Sequence, residues 1–217
     1  MDSKPRIKDA RRHFIITAGG TREHIDPVRF ISNASSGKMG YALAAAAVKA
    51  GHAVTLITAP TALKPPAGAI VVAVESAAEM FAAVKEHFTA CDCLIMAAAV
   101  ADFTPMRCSK TKIKKDGGAS PTLQLKPTAD ILKWAGRHKA AGQIVVGFAL
   151  EDRNLRTNAE KKLHDKHLDM IVANAPEAIN AETSTVHIKT ISAEWVELAL
   201  ESKAAIAGRI IRLAEQL

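Results

Sequence analysis

"HFIITAGGTREHIDPVRFISNASSGKMGYALAAAAVKAG", residues 13–51, passes from a strand to a helix by a long detour. His13–Ala18 is a run of aromatic and β-branched residues, which suits a buried strand, and Gly19-Gly20 ends it. Residues 37–50 are helix material, closed by Gly51. Between them lie about sixteen polar and turn-forming residues, too many for an ordinary strand-to-helix joint, so the loop reads as functional. A dinucleotide fingerprint would open the helix directly with G-x-G-x-x-G, and this stretch does not. The helix mouth holds Ser32, Asn33, Ser35, Ser36 and Gly37, more hydrogen-bonding groups than a cap requires. Exposed N–H groups and the positive end of a helix dipole make such a mouth an anion site.

Working outward, apolar runs alternate with helical patterns. "AVTLIT" (53–58) is a strand stopped by Pro60, and "AIVVAV" (69–74) is another. Ser76 and Glu79 form a capping box for a helix over 77–89. "CLIMAAAV" (93–100) is a buried strand, and residues 101–122 lack periodicity. "TLQLK" (122–126) returns from that excursion, "ADILKWAGRHK" (129–139) is helical, and "QIVVGFA" (143–149) is a strand. A helix over 154–166, strands "LDMIVAN" (168–174) and "TVHIKT" (185–190), and a long terminal helix capped by Ser192 complete the order. Leu198, Ile206, Ile210 and Leu213 mark the apolar side of that last helix. Continuous apolar strands separated by helices predict an α/β fold: a Rossmann-like, doubly wound, mostly parallel sheet with helices on both faces and a flap excursion. Residues 1–12 read as a loose basic tail and 13–217 as a single domain, with no internal repeat.

Composition narrows the function. The 217 residues carry a net charge of +7 and only 4% aromatics. A stacking platform for single-stranded nucleic acid is therefore thin, and small polyanionic substrates explain the charge better. No apolar run approaches the roughly 20 residues of a membrane span, and no signal-type core follows the basic start. Cys91, Cys93 and Cys108 form neither CxxC nor an even disulfide set, which fits a reducing cytoplasm without structural zinc. His164 and His167 read as surface histidines.

Chemistry is expected where strands stop. "AAAVADF" (97–103) sets small residues at a strand end, where a ligand can lie against the backbone, followed by Asp102, suited to accept from ribose hydroxyls. Alternatively Asp102 simply caps a helix. "KTKIKK" (110–115) is a basic run on a flap that Gly117-Gly118 could hinge, with lysines able to neutralise phosphoryl charge. Arg22, Glu23, Asp26 and Arg29 fill the long first loop, as a salt-bridged surface or as part of the site. Lys162 and Lys166 stand four apart on one helical face, a mild repulsion that a bound anion or Asp165 would relieve. There is no G-x-x-x-x-G-K-[ST] loop and no Tyr-x-x-x-Lys, since Tyr41 is followed by Ala45.

These stretches together resemble the phosphopantothenate–cysteine ligase family. "GGTREHIDPVRFISNASSGKMG", "AAAVADF", "KIKK", "PTADIL", "GFALE" and the lysine pair occur in family order from residue 13 to about 190. The resemblance implies a stand-alone ligase that uses 4′-phosphopantothenate, L-cysteine and a nucleoside triphosphate, CTP in the bacterial form and mainly ATP in the animal form, with Mg2+. It implies that the substrate carboxylate attacks the α-phosphorus, that pyrophosphate leaves, and that the cysteine amine then attacks the acyl-nucleotide. It places Ala98, Ala99, Asp102, Thr128, Ala129, Asp130, Phe148, Lys162 and Lys166 around the nucleotide and Lys112 at the reacting phosphates. It gives Asn33 to the acyl intermediate, while Ser35, Ser36 and Gly37 at the helix mouth and Arg29 in the first loop are read as holding substrate anions. No protein ligand to the metal is implied, and a homodimer is. "PTAD" departs from the Asn-Pro-Asp-type segment of many bacterial members, which bears on the CTP assignment. An NAD(P)-dependent reductase on the same fold is the competing reading, against which the missing fingerprint and missing Tyr-x-x-x-Lys argue. A basic nucleic-acid-binding module is a third.

Overall fold

A computed structural model describes residues 11–115, 122–176 and 183–217. In chain order its elements begin with β1 (His13–Ala18), β2 (Arg22–His24), β3 (Phe30–Ser32), α1 (Lys38–Lys49), β4 (Ala53–Thr58) and β5 (Ala69–Ala73). Next come α2 (Ala77–Phe88), β6 (Cys93–Met96), β7 (Phe103–Pro105), β8 (Leu125–Pro127), α3 (Ile131–His138) and β9 (Ile144–Leu150). The chain closes with α4 (Leu155–Asp165), β10 (Met170–Asn174), β11 (Thr183–Thr190), β12 (Val196–Ser202) and α5 (Lys203–Ala214).

Eight strands form one sheet in the order β12-β11-β10-β9-β6-β1-β4-β5. From β5 to β10 the neighbours are parallel. Counted by appearance, those six strands run 3-2-1-4-5-6, the order of dinucleotide-binding folds. The order reverses between β1 and β6, where such sheets open a crevice at the strands' carboxyl ends. β11 is antiparallel to β10, and β12 to β11, so β12 again points the way β10 does.

Alternation along β1 divides the core. Phe14, Ile16 and Ala18 face one side, against Leu43, Ala44 and Ala47 of α1 and Ile206 and Ile210 of α5. Ile15 faces the other, with Met80 and Val84 of α2, Leu132 and Ala135 of α3, and Leu163 of α4. All of these are buried, so helices cover both faces, as continuous apolar strands require.

Three expectations need correction. The terminal helix does not begin at Ser192. Val196–Ser202 instead pairs with β11, with Val196 and Leu198 half-buried and the other residues exposed, because an open sheet edge offers its backbone partners that helix propensity cannot match. Leu198 belongs to that strand, and Ser202 is the true cap, its hydroxyl accepting from the Ala205 N–H. Arg12 is no part of a loose tail, since its guanidinium donates to the carbonyls of Ala214 (3.0 Å) and Glu215 (3.1 Å) at the end of α5. The capping box at α2 is shifted: Ser76 accepts from the Glu79 N–H, but Glu79 reaches back to the N–H of Glu75. Two small antiparallel pairs, β2 with β3 and β7 with β8, shape the long loops. Gly117-Gly118 lies outside the described residues. Among the described residues no helix is long and apolar enough to cross a membrane.

Candidate active site

β1 and β6 stop side by side, and their continuation forms a floor. Gly20 bridges to Ala99, and the Ala99 N–H donates to the Gly19 carbonyl at 2.8 Å. Side chains finish what the ladder leaves open. Thr17 accepts from the Ala98 N–H (3.1 Å) and Thr21 from the Ala101 N–H (2.9 Å). The Thr128 hydroxyl donates to the Ala101 carbonyl (2.6 Å) and the Thr128 N–H to that of Asp102 (2.9 Å). Asn33 donates its amide N–H groups to the carbonyls of Ala99 (3.3 Å) and Val100 (3.1 Å). Segment 98–102 is thus tied down by four side chains from three other parts of the chain. Thr17 and Thr21 are fully buried, and the sequence reading missed both. For Thr17 a threonine within an apolar strand was the available signal, but for both residues the partner lies some eighty residues away.

Above the floor stands the mouth of α1. Gly37 caps it with φ of 76°, a left-handed conformation natural to glycine, and no side chain caps the helix. The first turn holds no acidic residue. The first intrahelical bond runs from the Tyr41 N–H to the Gly37 carbonyl, so the N–H groups of the first turn point outward with the dipole's positive end.

The facing wall comes from α3 and α4. Asp130 caps α3 by accepting from the Lys133 N–H and forms an ion pair with Lys166 at 2.8 Å. Burial opposes its ionisation, but Lys166 and that N–H together hold its carboxyl below the ordinary range. Lys162 donates to the Phe148 carbonyl at 2.7 Å. Burial, and after it the nearby Lys166 ammonium, push Lys162 below the ordinary lysine range. Asp130, rather than Asp165, is thus the partner that relieves the lysine pair. Gly136 makes this wall possible, since a β-carbon there would collide with the Lys166 carbonyl oxygen.

The two walls and the floor enclose a cleft of about 810 Å³. Asn33, Ser35, Ser36, Gly37, Ala98, Ala99, Asp102, Thr128, Ala129, Asp130, Phe148, Lys162 and Lys166 all line it. Lys38 and Lys203 also do, and neither was nominated from sequence. Lys203 was hidden because it reads as the middle of a longer helix. Two expected residues stand elsewhere. Lys112 is exposed on the flap and does not line the cleft. Arg29 is outside the cleft too: it forks onto Asp26, with its Nε 3.0 Å from Oδ2, and donates to the Ile113 carbonyl at 2.7 Å. Asp26 is fully buried and also accepts from the Ile113 N–H at 3.1 Å, so the pair clips the flap beside Lys112. Arg29 holds the Asp26 carboxyl well below the usual carboxylate range.

Residues 10–217 match the family described as DNA/pantothenate metabolism flavoprotein C-terminal domain. The chain is 47% identical over 206 residues to the coenzyme A biosynthesis bifunctional protein CoaBC of Bacillus subtilis (strain 168), covering 93% of this chain and 50% of that protein. It is equally similar, 47% over 206 residues, to a cysteine/cysteine sulfinic acid decarboxylase of an unknown prokaryotic organism, covering 93% of this chain and 57% of that one. The chain therefore spans about half the length of the curated relatives it matches. The crystal structure of the C-terminal domain of a CoaBC protein superposes with a TM-score of 0.82 at 40% identity, covering 94% of both chains. The chain belongs to the DNA/pantothenate metabolism flavoprotein C-terminal domain family.

Proposed function

We propose that this domain joins 4′-phosphopantothenate to L-cysteine through an acyl-nucleotide, as part of coenzyme A biosynthesis. One observation carries the reading: an uncapped helix mouth suited to anions and a polar wall suited to a nucleoside open on the same cleft. In the first step a carboxylate oxygen of phosphopantothenate bonds to the α-phosphorus and the bond to pyrophosphate breaks. In the second the cysteine amine attacks the acyl carbon and the nucleoside monophosphate leaves.

The chain's groups divide between the steps. Asp102 and Asp130 suit ribose and base, and Ala98 and Ala99 let the nucleotide lie on the floor. Lys162 and Lys166 offset charge. Ser35, Ser36 and the Gly37 mouth take phosphate oxygens. Lys112 reaches the phosphates when the flap closes, and Arg29 acts through the flap rather than on a substrate anion. Asn33 holds the acyl centre, though its N–H groups must first exchange their bonds to the floor. CTP is the triphosphate this reading favours over ATP, and magnesium enters with it, held by phosphate oxygens. The protein acts as a cytoplasmic homodimer. Exposed Val28, Phe30, Phe103, Met106, Ile113 and Leu125 sit on and beside the two small strand pairs, an apolar surface suited to a second copy.

The test is pyrophosphate release with phosphopantothenate and each of the four nucleoside triphosphates, with and without cysteine. The expected result is release with CTP in the absence of cysteine, limited to about one equivalent per site, and turnover on adding cysteine. Asn33→Ala should still give the first equivalent and then stall with acyl-nucleotide bound. Losing such a donor costs about 3–4 kcal/mol of transition-state stabilisation. No pyrophosphate with any triphosphate would overturn the reading.

A further inference from the structure

Asn33 is seated by its backbone as well as by its side chain. Its side-chain amide donates to the carbonyls of Ala99 (3.3 Å) and Val100 (3.1 Å). Its own carbonyl lies against Gly20, the residue that bridges to Ala99. A β-carbon on Gly20 would stand 2.6 Å from the Asn33 carbonyl oxygen and 3.1 Å from the Ser32 hydroxyl oxygen. The first distance is well inside van der Waals contact, so one of the two sides would have to move. Backbone conformation is not the obstacle. Gly19 has φ of 81°, but Gly20 is not in the left-handed region and its main chain suits alanine. What keeps a side chain out is the close approach of residues 32 and 33.

The two sides of this contact yield differently. Gly20 is buried and tied to the floor by its bridge to Ala99. Ser32, Asn33 and Ala34 are exposed, with room to move outward. A methyl group at Gly20 therefore lifts the loop and leaves the floor in place. The Asn33 carbonyl also accepts from the Ser35 N–H at 2.8 Å, so the turn travels with it and draws the side-chain amide off its seat. The Ala99 carbonyl keeps another donor, the Thr21 N–H at 3.3 Å. Asn33 lines the cleft and Gly20 does not, so Gly20 acts only through its neighbour.

We infer that Gly20 is a positioning residue for the acyl-transfer step: its missing side chain lets the loop carry Asn33 down to the height at which the amide meets the acyl centre. This rests on the ligase reading, which gives Asn33 to the second half-reaction. The first half-reaction does not use this seat, because Ala98 and Ala101 are held by Thr17, Thr21 and Thr128.

The test is a rapid-quench double-mutant cycle on wild type, Gly20→Ala, Asn33→Ala and the double variant. Each is loaded with phosphopantothenate and CTP and then given cysteine. Gly20→Ala should release its first equivalent of pyrophosphate at the wild-type rate. Its consumption of acyl-nucleotide on adding cysteine should slow by about tenfold or more, since small misplacements of a positioned group are costly. In the Asn33→Ala background the same change should alter that step by less than about twofold, because the residue it acts through is gone. Independently of activity, the side-chain amide resonances of Asn33 should shift in Gly20→Ala while the backbone amide of Ala99 keeps its position. A normal second step in Gly20→Ala would overturn the inference and leave the ligase reading standing. So would an equal loss in the Asn33→Ala background, or a parallel loss of the first step. A Gly20→Ala chain that thermal melting shows unfolded even with saturating nucleotide would overturn it too, since the seat would then belong to the fold. Absence of pyrophosphate release by wild type would sink the ligase reading and this inference with it.

Discussion

Segment 98–102 and the flap over 106–115 both carry groups expected to meet the nucleotide, and they are held in opposite ways. The floor is fixed by Thr17, Thr21, Asn33 and Thr128, which bind its backbone N–H and carbonyl groups from several sides. The flap is fixed beside Lys112 by the Asp26–Arg29 clip, which holds both the N–H and the carbonyl of Ile113. A surface that positions a nucleoside works best when rigid, because ordering it on binding would cost affinity. A group that meets charge only as it develops can sit on a segment that closes late. The difference therefore predicts a division of labour: substitutions at Thr17, Thr21 and Thr128 disturb folding and binding, and flap substitutions disturb turnover.

Lys112 gives the largest expected effect and the most direct way to break the contrast. Lys112→Gln keeps length and removes charge. Pyrophosphate release should fall by roughly 10²–10³, the scale of losing one transition-state donor, with nucleotide affinity and melting temperature little changed. If the variant instead loses nucleotide binding in step with turnover, Lys112 is part of the ground-state site and the division fails.

Thr21 probes the other side. Thr21→Val preserves shape and deletes the acceptor of the buried Ala101 N–H. Leaving that donor without a partner should cost about 1–3 kcal/mol of stability, read by chemical denaturation. Thr21→Ser should recover most of it. Nucleotide affinity should weaken in Thr21→Val, while the maximal rate at saturation stays near wild type. Intact stability in Thr21→Val would show that the floor holds its shape without this bond.

How far these regions could be read beforehand follows from the range of the forces involved. β1, β4, β6, β9 and β10 announce themselves because strands buried on both faces are continuous apolar runs. Ser76 announces its helix because a cap acts three residues away. The hairpin of β2 and β3 gives no signal, being three-residue strands with exposed Phe30 and Ser32. β12 misleads because Leu198, Ile206, Ile210 and Leu213 happen to fit helical spacing across a true strand-to-helix junction. Within the site, the lining residues that belong to motifs were legible as motifs. The bonds from Thr17 and Thr21, and the placement of Lys203, depend on partners brought near only by the sheet order, which no local pattern encodes.

The Asp26 clip gives the smallest expected effect and the finest test of the comparison. Its carboxylate accepts from the N–H groups of Val28, Arg29 and Ile113 and from the Arg29 guanidinium. Arg29 most of all, helped by those N–H groups, holds the folded-state pKa well below the ordinary value of 3.8, although burial opposes it. A depressed carboxylate pKa means that the unfolded chain binds the proton more readily than the folded one. The contribution is therefore fully present above about pH 3.8 and is lost as pH falls from there through the folded value. Asp26→Asn removes the charge at every pH. The stability gap between wild type and Asp26→Asn should be constant above pH 5 and narrow progressively below pH 4, a shape set by where an ordinary aspartate titrates. Near neutral pH the variant should speed hydrogen exchange at the Ile113 amide and leave exchange at Ala98 and Ala101 unchanged, because the floor is held by other groups. Turnover should fall by only a fraction of the loss in Lys112→Gln, since the lysine remains and only its anchorage loosens. Faster exchange at Ala101 in Asp26→Asn would mean that clip and floor are one structural unit, and the contrast between a fixed floor and a separately anchored flap would be lost.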